Sequence, residues 1–155
     1  MNVLIIGANG FLGRNLVQKC LSKNWKVSCV YHVNQNYIPR ICKRYSYDQV
    51  GNITSVYDII FLLAAVIPYN NFDNPTKQLF QTNIEFPILI TTKFAESMLV
   101  FSSSCSVYGV HSTKISELSS FNNPSLYGLT KISSETIVRF HKRHHTVERT
   151  VKSRR

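Results

Sequence analysis

Val3-Leu4-Ile5-Ile6-Gly7-Ala8-Asn9-Gly10-Phe11-Leu12-Gly13 sets an unbroken apolar run directly before a glycine-rich turn. Beyond the turn, Leu12, Leu16, Val17, Cys20 and Leu21 recur at three- and four-residue spacing, the apolar stripe of a helix that covers a sheet. Strand, glycine turn and helix in that order are the context in which such a motif is more than a string match. Gly7 permits a sharp turn, Gly10 lets backbone approach a pyrophosphate, and Gly13 lets helix and strand pack closely. An anion seated there would meet free N–H groups at the positive end of the helix dipole. Glycine turns also join strands to helices where nothing binds, so the motif needs a second signal.

Working outward, strands are predicted near residues 2–6, 26–31, 44–47, 58–63 and 99–103, and helices near 11–23, 76–97 and 126–144. Alternating strand and helix predicts an α/β protein, a Rossmann-type doubly wound parallel sheet with helices on both faces. Trp25 is expected to close the turn from the first helix to the second strand. The stretch from Val33 to Lys43 is short and carries Pro39, so a second helix is expected to be reduced or absent. Pro87 should kink the long helix, because it has no N–H and crowds the carbonyl one turn earlier.

The second signal is Tyr127-Gly128-Leu129-Thr130-Lys131. Tyr127 and Lys131 are spaced i, i+4 and share a helical face. An ammonium beside a phenol favours the phenolate, drawing the tyrosine below its usual pKa of about 10 and making it a general acid or base. Leu99-Val100-Phe101-Ser102-Ser103-Ser104-Cys105-Ser106-Val107-Tyr108-Gly109 places serines where an apolar strand gives way to a loop.

With these motifs the chain resembles the N-terminal part of an extended short-chain dehydrogenase/reductase, of the NAD-dependent epimerase/dehydratase family that acts on nucleotide sugars. The matching residues are the glycine stretch, Phe61-Leu62-Leu63-Ala64-Ala65, Asn83, the serine run ending Val107-Tyr108-Gly109, Glu117, Pro124-Ser125-Leu126-Tyr127 through Lys131, and Glu135; they cover roughly residues 1 to 140. The resemblance implies a catalytic Ser104, Tyr127 and Lys131. It implies a cofactor, NAD or NADP, on Gly7, Gly10, Phe11, Leu12, Gly13, Asp48, Ala64, Ala65, Asn83, Tyr127 and Lys131. A nucleotide-sugar substrate follows, with homodimerisation through the helices at 76–97 and 126–144.

Three departures from that family matter. The end of the second strand reads Val30-Tyr31-His32-Val33-Asn34, without the carboxylate that would accept the ribose hydroxyls, while Arg14, Arg40 and Lys43 could meet a 2′-phosphate. NAD and NADP therefore both stay open. Cys105-Ser106 stand where 4,6-dehydratases resembling this chain place Asp-Glu, so epimerisation or ketone reduction is preferred over dehydration. After the tyrosine helix the family continues into a substrate-holding lobe, whereas from Arg139 this chain has seven Lys or Arg against one Glu, net +6 of the total +10, and stops at Arg155. The expectation is a truncated form, with an NAD(P)-binding domain at 1–140, a basic tail at 141–155 and no C-terminal substrate lobe. A dinucleotide-binding fragment without turnover is the alternative reading.

The tail has neither interleaved aromatics nor a recognition helix, so no specific nucleic-acid partner is expected. The longest apolar run, Ile59 to Ile67, is too short to span a bilayer, and no cleavable leader precedes the first strand. A soluble, cytoplasmic protein is expected. Cys20, Cys29, Cys42 and Cys105 form no C-x-x-C pair, and the histidines show no ligand spacing apart from His141, His144 and His145 in the basic tail, where surface solvation is expected, so no metal is expected.

Overall fold

The computed structural model describes residues 1–68, 76–112, 114–141 and 144–150. Six strands, Asn2–Ile6 (β1), Lys26–Tyr31 (β2), Lys43–Ser46 (β3), Ile59–Leu62 (β4), Met98–Ser104 (β5) and His145–Thr150 (β6), form one sheet. Every neighbouring pair is parallel, and the order is β3-β2-β1-β4-β5-β6. Building therefore proceeds outward from β1 in one direction and then, from β4, in the other.

Helices cover both faces, which is why β1 reads as continuously apolar rather than alternating. On one face α1 (Phe11–Ser22) sets Val17 and Cys20 against Val3, Ile5, Val27 and Cys29. Trp25 packs at the edge of this cluster, and its N–H donates to the Cys20 carbonyl. On the other face, Ile90 of α3 (Phe86–Lys93) and Val138 of α4 (Leu126–His141) meet Leu4, Ile6, Ile60, Leu62, Leu99 and Phe101. Residues 32–42 form turns and bends without a helix, as their length and Pro39 predict.

The long helix expected at 76–97 is three pieces: α2 (Thr76–Phe80), a π segment at Gln81–Glu85, and α3. The cause is Pro87. Without its N–H the Asn83 carbonyl loses its α-helical donor, and the Phe86 N–H reaches five residues back to Gln81 instead. The released Asn83 carbonyl accepts the Ser134 hydroxyl of α4, so the kink becomes a joint between helices.

The stretch expected as a basic tail departs further from expectation. Its residues 145–150 are β6, paired with β5 from Leu99↔His145 to Ser104↔Thr150. Val147 packs on the core beside α4 and β5, and Thr150 donates its hydroxyl to the Ser103 carbonyl at 3.1 Å. Arg149 folds inward: its Nε and Nη2 donate to the two oxygens of Glu135 at 2.9 and 2.7 Å, and its Nη1 to the Tyr108 hydroxyl at 2.8 Å. Ser103 adds a hydroxyl donor to Glu135 at 2.6 Å. The sheet thus continues beyond residue 140, and charge there is partly internal.

Burial by itself would raise the Glu135 carboxyl, but the Arg149 and Ser103 hydrogen bonds outweigh it and hold the group below its ordinary 4.5. A depressed carboxyl stabilises the fold above its unfolded value and loses that contribution as pH falls through the folded one. Arg149→Met, which leaves the carboxylate without its bidentate partner, should cost about 2–4 kcal/mol at pH 7. Urea melts of both proteins should show that difference at neutral pH and its disappearance in acid below about pH 4; equal stability at pH 7 would refute the pairing as a structural determinant.

Candidate functional site

The glycine turn lies where the sheet order reverses, at the carboxyl ends of β1, β2 and β4, the place where open parallel sheets bind ligands. A groove of about 330 Å³ opens there, with Gly7 and Gly10 on one wall, Ala64 and Ala65 on another, and Tyr31 through Asn34 at its far end. The Gly7 and Ala8 N–H groups both donate to the Val30 carbonyl, which anchors the turn to β2. A Cβ on Gly13 would lie 2.2 Å from the Gly7 carbonyl oxygen, so glycine is what lets α1 close onto the turn. In front of Gly10 the space is open, with only the Gly7 oxygen within reach of a Cβ, at 3.3 Å. No side chain caps α1 and no acidic residue lies in its first turn. Open backbone, uncapped N–H groups and a positive helix end fit a dinucleotide pyrophosphate.

A second cluster sits where β5 meets α4. Ser104 ends β5; its hydroxyl donates to the Ser106 hydroxyl at 3.1 Å and accepts the Ser106 N–H at 3.2 Å, capping the 3-10 turn Cys105–Tyr108. Gly128 brings α4 against that turn, since a Cβ there would meet the Ser106 carbonyl at 2.3 Å. The helix start that carries the half-buried Tyr127 is thereby set against the loop that carries Ser104. One turn on, Lys131 is 1% exposed, with its Nζ 4.1 Å from the centre of the Phe101 ring. Burial lowers its pKa to about 7, against an opposing pull from the Glu135 carboxylate.

The remaining candidates lie elsewhere. Phe11 and Leu12 are exposed on the first turn of α1, outside the groove lining. Asp48 accepts the Ser46 hydroxyl at 3.4 Å and borders an adjoining hollow that shares His32, Tyr47, Gln78 and Thr82 with the groove. Asn83 is buried: its amide oxygen accepts the Val66 N–H, and its nitrogen donates to the Val66 carbonyl and the Thr130 hydroxyl. It ties the loop after β4 to α4 and does not line the groove. Arg149 was missed from the sequence, although the β-branched Thr146, Val147 and Thr150 around it favour a strand. Tyr108, at the end of the serine run, supplies the hydroxyl that receives Arg149.

Comparison with known proteins follows this geometry. The family model described as NAD dependent epimerase/dehydratase family matches residues 3–151. The chain belongs to that family. No curated protein sequence matches it. Among solved structures, UDP-glucuronic acid 4-epimerase from Bacillus cereus in complex with NAD superposes with a TM-score of 0.83 at 21% identity, over 98% of this chain and 57% of that one. UDP-glucose 4-epimerase from Thermotoga maritima with UDP-glucose gives 0.83 at 23%, over 96% and 55%. The chain therefore spans little more than half the length of these family structures. Among the described residues, no helix is long and apolar enough to cross a membrane and no group of three or more His, Cys, Asp or Glu could hold a metal.

Lys131 has a measurable signature. With the folded pKa at about 7 against an ordinary 10.5, the unfolded chain binds more protons between those values, so stability rises with pH across that window. Lys131→Met should be more stable than the parent at pH 6 by about 2–4 kcal/mol, with the gap closing towards pH 10. Urea melts of the pair at both pH values check this, and a gap that does not change with pH would be inconsistent with a buried, titrating amine.

Proposed function

We propose that this chain binds a nicotinamide dinucleotide in the glycine-turn groove and serves a nucleotide-sugar epimerase or reductase through Ser104, Tyr127 and Lys131. The observation that carries the reading is the groove itself, open-backboned at the reversal point of the sheet, along the same strand ends that present Ser104. When bound, the dinucleotide would accept and return a hydride at a sugar carbon. Ser104 would orient the substrate oxygen, and Tyr127 would take and return its hydroxyl proton. Lys131, held in an apolar setting over Phe101, would favour the tyrosine phenolate and hold the nicotinamide ribose. Cys105 and Ser106 offer no acid–base pair for eliminating water, which favours epimerisation or reduction over dehydration.

Binding without turnover by these 155 residues is the second reading, favoured by their covering only 57% of the Bacillus cereus structure. Calorimetric titration with NAD and NADP should show saturable binding that Gly10→Trp abolishes by filling the open space before the turn. Incubation with UDP-glucose should show interconversion that Tyr127→Phe slows by about 10²–10⁴-fold while leaving dinucleotide binding intact. Binding without interconversion selects the second reading, and a folded chain that binds neither dinucleotide refutes the proposal.

A further inference from the structure

The far end of the groove, where β2 releases the chain, carries an unusual hydrogen-bond polarity. Among the described residues, none that lines the groove is Asp or Glu. In dinucleotide sites of this architecture a carboxylate there accepts from the adenosine ribose 2′-hydroxyl, and an arginine accommodates a 2′-phosphate. Two asparagines line this end instead, and the backbone fixes which way both point. The Tyr37 N–H can only donate, and it donates to the Asn9 side-chain oxygen at 3.4 Å. The Asn9 amide nitrogen is therefore turned to Asn34, whose oxygen accepts it at 2.5 Å. With its oxygen already accepting from Asn9, Asn34 keeps both N–H groups of its amide to donate to a ligand.

Of the cations available from sequence, Lys43 begins β3 and borders a different hollow with Asn2, Trp25 and Lys26, at the opposite end of the strands. Arg40 is exposed and outside the groove lining, and Arg44, next in sequence to Lys43, is engaged, donating to the Gln35 side chain and the Ile38 carbonyl. Arg14 is placed differently. It stands in the first turns of α1, its backbone N–H bonded to the Gly10 carbonyl, and its guanidinium lies 4.3 Å from the centre of the Tyr37 ring. Tyr37 is the same residue whose N–H orients Asn9, and it ties the cation to the asparagine pair although Arg14 does not itself line the groove. A stacked guanidinium keeps its edge N–H groups for an anion.

We propose that the end of β2 is a subsite for a ribose 2′-phosphate, formed by Arg14 and the Asn34 amide, and that the chain takes NADP in preference to NAD. A phosphate only accepts hydrogen bonds and the subsite presents donors, whereas an unphosphorylated ribose finds no carboxylate there for its 2′-hydroxyl proton. The inference rests on the dinucleotide reading of the groove and deepens it. It separates this chain from the solved relatives described as complexes with NAD.

Calorimetry on the full chain, with folding checked by circular dichroism, tests it using NADP, NAD, adenosine 2′,5′-bisphosphate and adenosine 3′,5′-bisphosphate. NADP should bind at least ~10-fold more tightly than NAD, and the 2′,5′-bisphosphate should outbind its equally charged 3′,5′ isomer. Arg14→Ala should weaken NADP by about tenfold with little change for NAD, and Asn34→Asp should reverse the preference. Equal or tighter binding of NAD overturns the subsite while leaving the dinucleotide reading intact. Equal binding of the two bisphosphates assigns the effect to the general charge of +10 and also overturns it. A folded chain that binds none of the four overturns both.

Discussion

Glu135 is the point on which the second half of the structure hangs. Its carboxylate lies 5% exposed between α4, β5 and β6, where an unmatched charge would be intolerable, and it is met by Ser103 from β5 and by both arms of Arg149 from β6. The same guanidinium reaches the Tyr108 hydroxyl and lies 5.6 Å from the Phe121 ring, so the loop that follows Ser104 is fastened through it. One buried charge pair thus sets the last strand, the tyrosine helix and the serine loop in a common frame. It also leaves the Glu135 carboxylate committed to Arg149, one helical turn from Lys131.

A second frame is built from a missing hydrogen bond. Pro87 deprives the Asn83 carbonyl of its helical donor, and Ser134 supplies one from α4. The Asn83 amide meanwhile grips both backbone groups of Val66 and the Thr130 hydroxyl. The loop that follows β4 and walls the groove is in this way held to the helix that carries Lys131. Groove and tyrosine helix cannot shift independently without exposing buried polar groups, an arrangement consistent with π segments gathering at functional sites.

How much of this was legible depended on whether a residue's surroundings were local. Val3 through Gly13 declared strand, turn and helix because each constraint acts over a few residues, and β1, β2, β4 and β5 followed from their apolar runs. Pro87 announced a break, but the donor that satisfies the freed Asn83 carbonyl comes from the three-dimensional neighbour Ser134. The sixth strand escaped because its composition was read as charge. Edge strands carry charged residues to discourage pairing with other chains, so Glu148 and Arg149 disguise an element whose Val147 packs inward. Arg149 has meaning only beside Glu135, fourteen residues away, and no local pattern contains that pairing. Asn83 illustrates the converse, a recognisable residue whose amide the fold spends on backbone rather than on the groove.

Lys131 sharpens the distinction between what the fold needs and what it retains. Its side chain occupies core volume next to Phe101, where a methionine would fill the space without the desolvation of an amine. The Glu135 carboxylate pulls in the stabilising direction but is outweighed by burial, because its oxygens are already committed to Arg149 and Ser103. The sixth strand thus claims the carboxylate one helical turn from Lys131, whose amine is held near neutrality by burial. A group held at such expense in a structure otherwise well satisfied is best explained by what it does to a neighbour or a ligand.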